Sequence, residues 1–248
     1  MPRLRDLLIG TGLYPRARAV RRLFLSRRDR AREAEALAFY RAVVPPGALV
    51  FDLGANVGDI SEPLLRVGAR VVAVEPQPEC LAELRARCGA YPGFVALPAV
   101  VGRAPGVATL HLRAHHGASS LRRDWMGDAV GTLDTPMVTL AGLIARYGVP
   151  AYCKVDVEGS EEDVFATLPH PLPLVSFEYV DAALERAAAC LALLAPGGGA
   201  EANLAATAPP RFLLPEWLPP DELLRRLPGL IRDGVARSWG DIWVRTRS

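Results

Sequence analysis

Between residues 45 and 181, short apolar runs alternate with amphipathic stretches, and most of the apolar runs stop at an acid or a glycine. ALVFDLG (48–54), RVVAVEP (70–76), FVALPAVVG (94–102), AYCKVDV (151–157) and PLVSFEYV (173–180) have the near-continuous hydrophobicity of strands buried on both faces. DISEPLLRVG (59–68), QPECLAELRARCG (77–89), VTLAGLIARYG (138–148) and SEEDVFATL (160–168) read as the intervening helices, and Ser160 with Asp163 predicts a capping box for the last. This alternation predicts an α/β fold: a mostly parallel, twisted sheet of about seven strands with helices on both faces.

The remaining segments extend that plan. VATLHLR (107–113) alternates like an exposed strand, half of a hairpin. A helix is expected over 181–199, a strand over 200–207, a helix within the proline-rich 209–228, and a final strand, DIWVRT, over 241–246. A helix over 29–44 ends at Pro45-Pro46-Gly47, which divides the chain into a basic N-terminal helical extension (1–44) and one domain (45–248). Net charge is only +2, which makes no case for nucleic acid, but residues 1–35 carry ten arginines against four acids. Such an arm suits an anionic surface or partner, or is a solvated extension. The four cysteines form no C-x-x-C pair and read as buried reduced thiols of a cytoplasmic protein. No apolar run reaches a membrane span and no secretory signal is evident.

In a parallel sheet, ligands bind beyond the carboxyl ends of the strands. Asp52 to Gly58, Glu75 to Gln77, Gly102, Asp156 to Gly159 and Glu178 all fall at such ends. Gly54 and Gly58 permit a tight turn after the first strand, and Asn56 tolerates unusual backbone angles. The loop is not G-x-G-x-x-G, so it suits a nucleoside without a pyrophosphate and argues against a dinucleotide oxidoreductase. Glu75, 23 residues after Asp52, stands where an acid accepts hydrogen bonds from ribose hydroxyls.

The segments VFDLGANVGDIS, VVAVEPQPECLAELRARC, VVG, GASSL, VTLAGL, KVDVEGSEEDVFATL and LVSFEYV resemble, in order over about residues 47–181, the motifs of FkbM-type methyltransferases. The resemblance implies a Rossmann-like class I methyltransferase fold and S-adenosylmethionine as cofactor. It implies that Gly54, Asn56 and Gly58 line the cofactor, with Asp52 beneath its methionine part and Glu75, followed by Pro76, on the ribose. It also implies that the Asp156–Glu158 turn faces the transferred methyl. Two positions depart from the family: Ala141 replaces the acid of T-L-D, and Arg103 replaces an acid often found after the third strand.

Methyl transfer to a hydroxyl needs a base, and two carboxylates close together raise each other's proton affinity. Asp156 and Glu158, two apart on an extended segment, share a face if the strand persists, with Lys154 on the same side. A divalent cation is a weaker reading of these acids, because no third ligand is evident in sequence. Glu161, Glu162 and Asp163 read as dipole-favoured acids of a helix start. His116, Ser119, Ser120 and Glu178 are expected to wall the acceptor site. His111, His115 and His116 lack the spacing of a helical metal site. The resemblance implies O-methylation of a sugar, glycan or natural-product hydroxyl as the function. Its alternatives are N-methylation by a similar fold, or a catalytically silent cofactor-binding module.

Overall fold

A computed structural model describes residues 26–125 and 127–246. Most of the basic arm lies outside these. The N-terminal helix α1 (Arg27–Val43) starts at Ser26, whose hydroxyl accepts the Asp29 N–H, and it buries Tyr40 and then Val44 against the sheet. The chain then alternates: β1 (Leu49–Leu53), α2 (Ser61–Arg66), β2 (Arg70–Val74), α3 (Pro78–Cys88) and β3 (Phe94–Leu97). It continues through β4 (Val100–Val101), β5 (Gly106–Leu112), β6 (Gly131–Val138), α4 (Leu140–Tyr147), β7 (Tyr152–Val155), α5 (Glu161–Phe165) and β8 (Leu174–Val180). It closes with α6 (Leu184–Leu194), β9 (Ala200–Thr207), β10 (Pro210–Phe212), α7 (Pro220–Arg232) and β11 (Trp239–Thr246).

The main sheet has eight strands in the order β10-β9-β11-β8-β7-β1-β2-β3. It is mixed, which corrects the expectation of a mostly parallel sheet. The pairs β2–β3, β1–β2, β1–β7 and β7–β8 are parallel, whereas β8–β11, β11–β9 and β9–β10 are antiparallel. The cause is the route of the last third of the chain. β10 follows β9 through a tight turn, which permits only antiparallel pairing, and β11 enters reversed between β8 and β9. A second, three-stranded sheet, β4-β6-β5, is only half legible in sequence: β5 alternates, but its partner β6 carries no strand signal. Pro136 and half-exposed side chains hide β6, and residues 113–130 separate it from its partner strand.

Alternation along the strands builds a core on each face. Phe51, Cys153, Phe177 and Ile242 pack to one side; Val50, Tyr152 and Trp243 pack to the other with Tyr40 of α1. All four cysteines are buried free thiols. Winding reverses at β1: β2 and β3 extend the sheet one way, and β7 and β8 the other. The carboxyl ends of β1 and β7 therefore open a crevice between two loops, which is where such sheets bind ligands.

Candidate active site

The crevice is a cavity of about 360 Å³ bounded by Gly54, Asn56, Glu75, Val101, Lys154 and Asp156, among others. Gly54 sits at φ +80, and a Cβ there would lie 1.8 Å from the Asp156 carbonyl oxygen, so the loops after β1 and β7 touch through bare backbone. Asn56, at φ +48, donates its N–H to Glu75 Oε2 at 2.9 Å, and Gln77 donates its N–H to Glu75 Oε1 at 2.8 Å. Both oxygens of Glu75 are thus aimed by backbone, and burial raises its carboxyl above the usual range despite these bonds. Pro76 also borders the cavity.

Two of the expected cofactor residues stand elsewhere. Gly58 turns toward α3, where a Cβ would meet Leu84 Cδ1 at 2.8 Å; it serves helix packing and does not border the cavity. Asp52 is fully buried behind the loop, its Oδ2 accepting the Ser61 hydroxyl at 2.5 Å. Arg103 is exposed and binds Asp163 at 2.9 Å, so it takes no place at the cavity.

The expectation of a continuous strand through Glu158 fails: β7 stops at Val155, and Glu158 lies at φ +53 in a turn. The turn nevertheless brings Lys154, Asp156 and Glu158 to the same cavity. Lys154 donates to Asp156 Oδ2 at 2.7 Å. Burial alone would depress its ammonium, but the Asp156 and Asp52 carboxylates outweigh burial and hold its pKa above that of an ordinary lysine. The predicted capping box is absent. Ser160 makes no cap bond; instead Glu161 Oε1 accepts the Val157 and Gly159 N–H groups, at 3.1 and 3.2 Å. Glu161 is a buried clamp on the turn rather than a solvated helix acid, and a cluster of three consecutive acids gave no signal of this.

Glu178 supplies the third carboxylate that sequence did not reveal. One oxygen each from Asp156, Glu158 and Glu178 lies within 4.8 Å of the others, a set that can hold a hard divalent cation or can simply repel. Burial and Asp156 push Glu158 up to about 7. Burial, Asp156 and Glu158 push Glu178 up to about 8. Burial does the same to Asp241, opposite Glu178 on β11, to about 7, although Lys154 pulls against it. Carboxyls so placed exchange protons near neutrality.

The segment between β5 and β6 contributes to this end of the sheet. His116 borders the first cavity and its carbonyl accepts Gln77 Nε2, while Ser119 donates to Gln77 Oε1 at 3.1 Å. Ser120 is fully buried and donates to the Glu158 carbonyl at 2.6 Å, which makes it a brace for the turn rather than an open wall. His115 stacks on His116 and borders a second cavity of about 520 Å³. Glu158, Glu178, Asp181 and the half-exposed Trp239 also border that space, to which the described residues bring no Arg or Lys. His115, Gly117 and Glu158 border both cavities.

Residues 52–179 match the model of a methyltransferase family, described as the methyltransferase FkbM domain. No curated protein sequence matches the chain. Among solved structures, it is similar to a precorrin-6y C5,15-methyltransferase from Geobacter metallireducens, at 11% identity over 87% of this chain and 86% of that one, TM-score 0.46. A TehB-like SAM-dependent methyltransferase from Corynebacterium glutamicum gives 11% identity over 86% and 88%, TM-score 0.44. A magnesium protoporphyrin IX methyltransferase from Synechocystis, solved with bound SAM, gives 14% over 87% and 78%, TM-score 0.44.

Proposed function

The chain belongs to the FkbM methyltransferase family and is an S-adenosylmethionine-dependent methyltransferase, and from that premise we propose that it methylates a hydroxyl of a sugar, glycan or natural-product intermediate. The observation that carries this reading is the junction of two cavities at Glu158. The inner one suits the cofactor: its volume is that of a small-molecule site, and Gly54 and Asn56 border it. Asn56 Oδ1 and Asp156 Oδ1, on residues bordering it, are buried without partners among the described residues, as suits a ligand that brings its own donors. Glu75 would take the ribose hydroxyls, while Asp52 acts from behind by fixing the loop and sharing Lys154's charge.

S-adenosylmethionine, when bound, supplies a methyl group already activated by its sulfonium. What remains for the protein is to align the acceptor, exclude water and remove one proton. The outer cavity receives the acceptor, with Glu178, His115 and Trp239 as its wall. An acceptor hydroxyl taking the methyl group would give its proton to Glu158, whose raised proton affinity fits it as a base near neutral pH. Lys154 fixes Asp156 beside it through its hydrogen bond to Oδ2.

Labelled methyl transfer from S-adenosylmethionine to a panel of glycosides and polyhydroxylated rings tests this, together with calorimetry on S-adenosylhomocysteine. Expected are cofactor binding, transfer to a hydroxyl, and a loss of at least about a hundredfold in Glu158→Gln. Near-normal turnover of Glu158→Gln on an amine acceptor would convert the reading to N-methylation. Cofactor binding with no transfer across the panel would favour a silent module.

A further inference from the structure

Four backbone groups of the turn bearing Glu158 are held by side chains. Ser120 grips the Glu158 carbonyl, Glu161 grips two N–H groups, and Arg186 Nη1 donates to the Gly159 carbonyl at 2.8 Å. The Glu158 side chain has a single protein anchor among the described residues: Trp125 Nε1 donates to Oε2 at 2.9 Å. Trp125 belongs to the segment between β5 and β6, and its own position is fixed by neighbours. Arg113, only 6% exposed, donates to the Trp125 carbonyl from Nε at 3.0 Å and from Nη2 at 2.8 Å. The indole lies against Gly159, where a Cβ would stand 2.5 Å from the ring, and the Arg186 guanidinium is 5.1 Å from the ring centroid.

We infer that Trp125 is a positioning residue for methyl transfer: its indole N–H pins Oε2 of Glu158 and leaves Oε1 as the oxygen that receives the acceptor's proton. This rests on Glu158 being the proton acceptor. A carboxylate turns broadly about its last torsion, so an unpinned Glu158 presents two equivalent oxygens over a wide arc. An indole N–H can only donate, so the oxygen it faces is the poorer site for an incoming proton. The charged groups around this carboxylate are Asp156 and Lys154 at β7, Glu161 on α5, Glu178 on β8, Asp181, His115 and Arg186. None of them hydrogen-bonds it. Among the described residues the tryptophan therefore sets its orientation, and that orientation comes from the segment between β5 and β6 rather than from the main sheet.

A double-mutant cycle on the full chain tests this, using Trp125→Phe, Glu158→Gln and both together. Phenylalanine keeps a ring against Gly159 and Arg186 but removes the donor. With the hydroxylated acceptor that turns over in the panel, Trp125→Phe should lower kcat about tenfold while leaving KM for S-adenosylmethionine within about twofold. In the Glu158→Gln background the same change should cost less than about twofold, because its route is already cut. Independently of any acceptor, the indole N–H spectrum has one signal that disappears in Trp125→Phe. That signal should shift in Glu158→Gln, which keeps the tryptophan, while the other indole signals hold still. Losses that multiply in the double variant, or a Trp125 signal indifferent to Glu158→Gln, overturn the inference and leave the base assignment standing. Wild-type turnover by Glu158→Gln overturns the base assignment and the inference with it.

Discussion

Replacing Lys154 by methionine should destabilise the protein strongly, and more so in mild alkali than in mild acid. Lys154 is the only lysine in the chain, and its side chain is 12% exposed. It bonds Asp156 at 2.7 Å and is drawn also toward Asp52 and Asp241, one carboxylate from each of three strands or strand ends. Methionine preserves most of the stem and deletes the charge, leaving buried carboxylates without their shared cation. Breaking a buried pair in this way costs about 3–5 kcal/mol. In a chain of this size 1 kcal/mol corresponds to roughly 2–4 °C, so Tm should fall by roughly 6–20 °C near pH 8. The pH dependence follows from the raised acids. Glu158, Glu178 and Asp241 stand at about 7, 8 and 7 in the fold, against ordinary values near 4 in the unfolded chain. Their contribution to stability is full below the unfolded values and is lost as pH rises through 7–8. Wild type should therefore already weaken from pH 5 to pH 8. The variant should weaken more steeply, because near pH 5 Asp241, one of the carboxylates drawn toward Lys154, is protonated and has no charge left to balance. Differential scanning calorimetry at the two pH values decides the matter. A fall of less than ~2 °C near pH 8, or an equal fall at both, would refute the shared-cation account. Lys154→Arg should land between, since a planar fork cannot occupy the compact ammonium's place among three acids.

The pH–rate profile should rise through about 7 as Glu158 loses its proton, and Glu158→Gln should flatten that limb; a profile flat from pH 6 to pH 8 in wild type counts against it as base. Gly54→Ala drives a methyl into the Asp156 carbonyl, so S-adenosylhomocysteine affinity should drop by at least about a hundredfold in calorimetry, with a stability loss of about 3 kcal/mol. Chelation with EDTA should leave turnover unchanged if Asp156, Glu158 and Glu178 act as acids; loss restored by Mg²⁺ or Mn²⁺ would make them cation ligands instead. Among otherwise matched acceptors, a phosphorylated one should turn over at least about tenfold more slowly at low salt than its neutral parent, because Glu158, Glu178 and Asp181 border the outer cavity with no lysine or arginine among the described residues.

The parallel half of the sheet was legible because its strands are buried on both faces and therefore write continuous apolar runs. Strand ends named the loop at Gly54, the acid at Glu75 and the turn at Asp156, since those positions are dictated by chain connectivity. The reversed strand β11 was seen as a strand, but apolarity records burial and not direction. Gly58 illustrates another limit: a helix packed at van der Waals contact and a ligand both call for glycine, and the letter is the same. Glu161 and Trp125 were missed as parts of the site for a further reason. Each acts through a hydrogen bond to a turn whose left-handed residue, Glu158, no local pattern announced. Glu178 was placed near the site, but its closeness to Asp156 and Glu158 depends on the register of β7 against β8.

The contact between Gly54 and the Asp156 carbonyl makes the loop that would cradle the donor and the turn that would serve the acceptor a single mechanical part. No side chain lies between them to flex or repack. The span between the two reactants would then be gauged by two peptide units pressed together, a ruler with far less play than any rotamer. The outer wall, drawn partly from residues 115–118, can change while that ruler stays untouched.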